Sequence, residues 1–541
     1  MVRLFRAGVL TLLLLKEISI AQDIESPPVQ AFKPDTSLPK VNIPEFVITG
    51  QVVYDIPRPS KPSVEFDSTY FQNRQMIGTA EKIQFANTLS NKYQMLSFTQ
   101  NNLFASLGSG YYQSTNYLVT GTASYLGYEL NGGVSGYYTS GFEPNTMERN
   151  LMLQIGIERN LLLHQDLELK PLLSLSFRPS SFYLYGSSHK NLLRKLSNLN
   201  VGLTGSTDLR YHPTSLNLTF NRYSITDSVN VTQYDFEVEA ESLFDLHEGG
   251  LHTSAALSFG RHDVPGGQSQ YLIRAGALYE KEFAQFAIGI GLNFYQYRDD
   301  FSNGVGKLFP DFSIFYKFSY GNSVYLKYNG EVTKNDLSSL ITVDRYLNGL
   351  TLLKYPEKYF NLTAGSNWKV NDQLSVTPEA NFSLIRYLPT YYSDSTNDNF
   401  LTYSSRASIL SLNFKGKYHT DFFSSEASFL FRLSTADSLS PIPNLPSYEF
   451  RISGNYKITS EFYIHAGFTF IPSRYSDITL VRRVSAVSLI DGRLSYRFQI
   501  ESIPVTAFLN IQNLLNQNYY VWQGYREFPL TIILGLSSRI F

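Results

Sequence analysis

The sequence predicts an all-β protein: a transmembrane antiparallel barrel of about 22 strands (20–22), preceded by a short extended N-terminal segment. Three observations lead there. Side chains alternate with period two from about Asn102 to the end of the chain. Charged residues are only 17% while aromatics reach 15%, with 39 Tyr and 39 Phe, a balance suited to a wall with lipid on one side and water on the other. Beyond the N-terminus no apolar run approaches the 18 or so residues that a spanning helix needs.

In chain order, Met1–Ala21 reads as a secretory leader: Arg3 and Arg6 precede an apolar run from Ala7 to Leu15, and Ser19-Ile20-Ala21 supplies small residues before Gln22. Residues 22–62 carry Pro27, Pro28, Pro34, Pro39, Pro44, Pro57, Pro59 and Pro62. Such a stretch stays extended and cannot pack a core. Inside it lies the apolar, β-branched run Pro44-Glu45-Phe46-Val47-Ile48-Thr49-Gly50, which on its residues alone reads as a hydrophobic linker or a strand-like segment tucked into the barrel mouth. Residues 63–101 form a linker or a lumen-filling segment, with apolar positions that follow no clean period.

From Asn102 onward the alternation persists. Leu251, Thr253, Ala255, Leu257 and Phe259 oppose His252, Ser254, Ala256 and Ser258. Phe286, Ile288, Ile290, Leu292 and Phe294 oppose small or polar neighbours, as do Phe360, Leu362, Ala364 and Trp368, and again Phe462, Ile464, Ala466, Phe468 and Phe470. An apolar face four or five side chains deep matches a tilted strand crossing a hydrocarbon layer. Short polar turns recur at His212–Thr214, Tyr320–Asn322, Val370–Asp372, His419–Asp421 and Thr459–Glu461. Between them lie longer Ser-, Asn-, Asp- and Tyr-rich loops at 179–197, 298–307, 333–357, 389–400, 434–447, 472–485 and 516–528. In bacterial barrels short turns face the periplasm and long loops face outward, which here places both termini in the periplasm.

The chain ends in three alternating strands. The last has Ile532, Leu534, Leu536 and Ile540 in one phase and stops at Phe541. Before it comes Asn513-Leu514-Leu515-Asn516-Gln517-Asn518-Tyr519-Tyr520, and it closes on Gly535-Leu536-Ser537-Ser538-Arg539-Ile540-Phe541. These segments resemble the closing turn and final strand of the TonB-dependent outer-membrane receptors. In this chain Ile540 rather than Phe541 is in phase with the apolar face. Residues 44–50 are similar to that family's TonB box, which implies strand addition to the sheet edge of a periplasmic energy-coupling protein. The resemblance implies a barrel of 22 strands, a final strand presented to the barrel-assembly machinery, an energy-coupling partner for residues 44–50, and uptake of a nutrient or other solute across the outer membrane. It breaks after Gly50: the family's globular plug exceeds a hundred residues, while only about 50 separate Gly50 from the first strand here, too few for an ordinary core. A truncated plug, or a separate sealing protein, is therefore expected.

Candidate functional residues are few. Lys327, Glu331, Lys369, Glu426, Arg432, Arg493 and Arg497 fall on the polar phase of their strands, where a wet lumen tolerates charge and lipid does not. Tyr387, Tyr475, Tyr519, Tyr520 and Trp522 lie near strand ends, and most suit a membrane girdle better than a ligand site. The eight histidines are dispersed, with no metal-ligand spacing, and no catalytic grouping stands out, so neither enzyme activity nor a cofactor is expected. Asp394–Asn399 reads as solvated loop rather than a calcium site. A net charge of −1 offers no basic field for nucleic acid. The absence of cysteine removes disulfides and thiolate sites. Solute uptake is the leading expectation. A plugless barrel serving a secretion or surface assembly is the alternative, and an outer-membrane hydrolase a distant third.

Overall fold

The computed structural model describes residues 102–540 apart from residues 165–166, 188–189, 210–211, 247–248, 268, 320, 394–399 and 438–440. The expected leader, the extension with residues 44–50, the segment 63–101, Asp394–Asn399, His189, His247 and Phe541 lie outside the described residues.

Among those residues one sheet dominates. Its first strands are β1 (Asn102–Gly110), β2 (Ser114–Tyr125), β3 (Tyr128–Thr139), β4 (Glu148–Arg159), β5 (Leu161–His164), β6 (Leu167–Tyr183), β7 (Leu193–Leu209), β8 (His212–Thr226), β9 (Asn230–Leu246) and β10 (Gly249–His262). They continue as β11 (Ser269–Phe283), β12 (Phe286–Arg298), β13 (Val305–Ser319) and β14 (Asn322–Val332), then a helix α1 (Leu337–Val343), β15 (Glu357–Lys369), β16 (Leu374–Ser393), β17 (Phe400–His419), β18 (Phe423–Ala436), β19 (Tyr448–Lys457) and β20 (Phe462–Ile471). A two-stranded hairpin, β21 (Arg474–Tyr475) with β22 (Arg483–Val484), precedes β23 (Val487–Ile500) and β24 (Ile503–Gln512). A second, β25 (Tyr520–Trp522) with β26 (Tyr525–Arg526), precedes β27 (Thr531–Arg539).

Each large strand pairs antiparallel with its sequence neighbours, and β1 pairs with β27. The sheet has 23 segments, but β4 and β5 are two pieces of one strand, both on β6. The result is a closed barrel of 22 spanning strands, in agreement with the predicted number. Closure leaves no unpaired sheet edge for lipid to face. Glycines permit the seam. Gly108 sits opposite Gly535, a Cβ on Gly535 would lie 2.4 Å from the Leu107 carbonyl oxygen, and one on Gly110 would lie 1.9 Å from that of Ile532.

Exposure is inverted relative to a soluble protein. Ile290, Leu292 and Leu534 are 61%, 54% and 64% exposed, while Asn361, Thr363, Asn413 and Ser424 from the opposite phase are buried. An apolar face turned outward is stable only against hydrocarbon, which gives the alternation its physical cause. The inward polar groups pair across strands. The Asn381 amide donates to Asn361 Oδ1 and Thr363 Oγ1 (both 2.8 Å), Ser383 donates to Asn361 Oδ1 (2.7 Å), and the Asn361 amide donates to Asn329 Oδ1 (2.8 Å). Near the short-turn end, Phe286 stacks on Tyr316 (4.5 Å), and Phe318 meets Trp368 edge-on (5.1 Å), as a girdle at a membrane boundary would.

Connections at one end are two to four residues long; at the other they reach the 24 residues between β14 and β15. The expected asymmetry is present, with boundary corrections. The turn expected at His212–Thr214 is strand, since β8 starts at His212. β6 and β16 run on to Tyr183 and Ser393, shortening the loops expected from residues 179 and 389. The segment expected as loop at 333–357 contains α1 and the first residue of β15.

Candidate functional site at the long-loop mouth

The loops at the long-loop end share a core of their own. Leu337, Leu340, Ile341 and Val343 of α1 are buried with Tyr346, Leu347 and Leu353 from the same connection, Leu184 from the β6–β7 loop, and Tyr519, Val521, Trp522 and Tyr525 from the connection before β27. The strand ends supply Phe182, Ile225, Val231, Tyr391, Phe400, Ile471, Val487 and Leu489. These come from β6, β8, β9, β16, β17, β20 and β23, so the loops meet across the mouth and tie its sides together. Burial of each large apolar side chain favours closure by about 2 kcal/mol before the ordering entropy of the loop is subtracted.

Local chemistry explains α1. The Asp336 side chain accepts from the Ser339 backbone N–H (2.6 Å), and Ser339 Oγ accepts from the Asp336 N–H (3.1 Å), a reciprocal N-terminal cap. A further N–H of the first turn, that of Leu337, donates to Gln233 Oε1 on the wall strand β9 (2.6 Å). Leu337, Leu340 and Ile341, spaced i, i+3, i+4, form the stripe that enters the core.

Beyond α1 the chain is pinned by ions. Arg345 donates from both terminal nitrogens to Glu148 at the start of β4, at 2.9 and 2.8 Å, and its guanidinium lies 4.2 Å from the Phe182 ring. Arg194 at the start of β7 pairs with Asp227 (2.6 Å) and donates to the carbonyls of Arg345 (2.9 Å) and Leu347 (2.7 Å). The Tyr346 and Tyr525 rings stack at 3.5 Å, joining the two largest loops. Two acids sit in this cluster. Asp344 is fully buried; its Oδ1 accepts from the Tyr346 N–H (2.9 Å), and burial pushes its carboxyl up to about 8 against the pull of Arg194 and Arg345. Glu527, which keeps some solvent contact, is pushed up to about 7 by burial, opposed by Arg345 and reinforced by Glu148.

Beneath this lid the wall charges are paired. Lys334 faces Asp235 (3.2 Å), and Lys307 faces Glu357 (3.1 Å), which also accepts from Tyr297 Oη (2.5 Å). Asp299 and Asp300 accept the N–H groups of Tyr355 (3.0 Å) and Leu353 (2.7 Å). Among the described residues no group of three His, Asp or Glu could hold a metal ion.

The lumen candidates are spread along the wall rather than gathered. Glu331 pairs with Lys358, Lys369 with Asp372 (2.8 Å), Glu426 with Lys417 (3.7 Å), and buried Arg432 faces Glu449 (4.0 Å). Lys327 lies 5.1 Å from the Phe315 ring, Arg493 4.3 Å from Phe508 and Arg497 5.3 Å from Tyr463. Tyr519 and Trp522 are buried in the lid core, not at a girdle; Tyr520 is exposed. Tyr475 lies under the Arg483 guanidinium (4.3 Å) and Tyr387 under the Lys354 ammonium (3.8 Å). Arg345, Glu148, Arg194 and Asp227 were not among the sequence candidates. The available signal was the Asp336-to-Ser339 cap before an apolar i, i+3, i+4 stripe, which marks the helix but not its partners.

The closed barrel has solved counterparts. The ferric-catecholate import receptor Fiu of E. coli shares 11% identity, with a TM-score of 0.62 over 82% of each chain. The FrpB iron transporter of Neisseria meningitidis shares 10% at a TM-score of 0.65, again over 82% of each chain. The chain has the barrel fold of the TonB-dependent receptors. The copper transporter OprC is similar too, at 10% identity and a TM-score of 0.63, over 82% of this chain and 81% of that one. No protein-family model matches the chain, and no curated protein matches it. The named cargoes of these TonB-dependent-receptor folds differ, so the fold constrains the architecture and leaves the cargo open.

Proposed function

We propose that this protein is an outer-membrane uptake barrel that admits a nutrient or other solute, with its short-turn end and both termini in the periplasm and its long loops outside. The observation that carries the reading is a 22-strand barrel with an apolar outward face whose long-loop mouth is covered by its own loops. A ring that wide would breach the permeability barrier if left open, so a mouth lid is the part a gated importer requires. The likeness to import receptors supports it at the level of fold. Residues 44–50 would engage a periplasmic energy-coupling protein by strand addition, residues 63–101 would occupy the lumen, and β27 with the Ile540 that follows it would present Ile532, Leu534, Leu536 and Ile540 to lipid and to the assembly machinery.

Two deletions test this. Removing residues 22–100 should raise single-channel conductance in planar bilayers, and more so when the lid is also loosened. Removing Pro44–Gly50 should abolish binding of the coupling protein and energised uptake while leaving the folded barrel intact. Unchanged uptake after the second deletion rules out the energy-coupled form, and a barrel that never conducts after both changes rules out solute passage.

A further inference from the structure

We propose that the lumen wall formed by β9, β10 and β11 beneath the α1 connection carries a binding site for a neutral, polyhydroxylated solute of the saccharide class. The assignment rests on the uptake reading for its purpose and on the following geometry for its chemistry.

Ser258 and His262 lie on the inward phase of β10, two residues either side of Gly260, and Gly260 sits directly opposite Gln270 on β11 and Asp235 on β9. Each of the three polar side chains belongs to a residue only 2% exposed. Ser258 Oγ, both ring nitrogens of His262 and both ends of the Gln270 amide have no hydrogen-bond partner among the described residues. Five such atoms on two adjacent strands form a concentration of unmet polar capacity, and a fold does not ordinarily bury polar groups unpaired. His262 Nδ1 stands 4.0 Å from Asp300 Oδ2, too far for a hydrogen bond.

The class of ligand follows from what is paired and what is not. The cations around the patch, Lys334, Lys307 and Arg274, each face a carboxylate. None of the three is left to draw an anion, and the acids nearby are taken up by those cations or by backbone N–H groups. The unpaired groups are neutral or formally so: an amide with donor and acceptor ends, a hydroxyl that does both, and an imidazole that offers one of each when uncharged. Hydroxyls of a sugar, each donor and acceptor at once, complement that set. The adjoining wall is aromatic and apolar, with Leu272, Tyr295, Tyr297 and Tyr355 in one cluster, the mixture that small-molecule sites combine with a few placed polar groups. Entry is tied to the lid: Gln233, opposite His262 on β9, accepts from the first N–H of α1, so the connection must lift before a solute reaches the patch.

The test is calorimetric titration of the detergent-purified full chain with sucrose, raffinose and maltotriose, and with ferric citrate as an anionic counter-probe. At least one saccharide should bind with a dissociation constant of about 1 mM or tighter, and Gln270→Leu and His262→Leu should each weaken it about tenfold or more, with Ser258→Ala as a milder variant should either fail to fold. Heat-modifiable gel migration reports folding. No saccharide binding, binding of ferric citrate in its place, or saccharide binding untouched by the variants overturns the proposal. Because binding is measured without transport, a barrel that binds saccharide but never passes it into vesicles would overturn the uptake reading alone.

Discussion

Replacing Glu148 by alanine should release the lid. Arg345 is held by two charge-assisted hydrogen bonds of 2.9 and 2.8 Å, with the Glu148 and Arg345 side chains only 4% and 16% exposed. Removing one partner of such a pair leaves the other charge buried without its counterion, a loss of about 3 kcal/mol or more. That corresponds to roughly two orders of magnitude in the open-to-closed ratio. Glu527 offsets part of it: its carboxyl lies near 7, burial and Glu148 raise it, and Arg345 lowers it. With Glu148 gone, Glu527 becomes more acidic and takes over some of the counter-charge. The Glu148→Ala effect should therefore be larger at pH 6 than at pH 8, and the addition of Glu527→Gln should remove that difference. The chain has two tryptophans: Trp522 is 5% exposed in the lid core, and Trp368 is 43% exposed on the outward face near the short turns. In a Trp368→Phe background, acrylamide quenching reads the lid alone. Trp522 should be shielded with Glu148 present and strongly quenched without it. Equal shielding in both, with folded migration on gels, would refute the assignment of the ion pair as the latch.

The fully buried Asp344 gives the lid a second pH dependence. Its carboxyl is raised to about 8 in the closed lid from an ordinary value of 3.8, so the closed form binds the proton more tightly; the stabilisation is complete below about 4 and is lost as pH rises towards 8. Trp522 quenching should grow over that interval, and Asp344→Asn should flatten the profile. Asp336→Ala removes the helix cap, should cost about 1 kcal/mol, and should raise quenching several-fold. Gly110→Val places side-chain carbons against the Ile532 backbone at the seam; it should prevent closure of β1 on β27 and abolish the heat-modifiable band, whereas Gly306→Ala, where a Cβ meets nothing within 4 Å, should not.

The barrel was legible because its cause is local. Ile290 and Leu292 differ from Gly289 and Gly291 at every second position, and that contrast needs no knowledge of distant residues. The alternation of the last strand, Ile532, Leu534 and Leu536 against Gly535 and Ser537, was legible for the same reason. The lid was not. Glu148 and Arg345 are 197 residues apart, and nothing near either one announces the other. Trp522 and Tyr519 have the composition of a girdle and the position of a core, because the loop that carries them folds inward over the mouth rather than out along the membrane boundary. Helix α1 wrote its cap and stripe into Asp336–Ile341, but seven residues inside a long polar connection give too short a periodic signal to outweigh its surroundings.

Site-directed spin labelling tests the account most directly, since a chain with no cysteine accepts single labels without background. Labels at Ile290, Leu292 and Leu534 should collide with oxygen dissolved in lipid and escape a water-soluble nickel reagent, while labels at Asn293, Asn413 and Ser537 on the opposite phase should show lower oxygen accessibility and, where the lumen is wet, greater nickel accessibility. Nickel accessibility equal in both phases, or greatest at Ile290, Leu292 and Leu534, would contradict a barrel wall that separates hydrocarbon from its own interior.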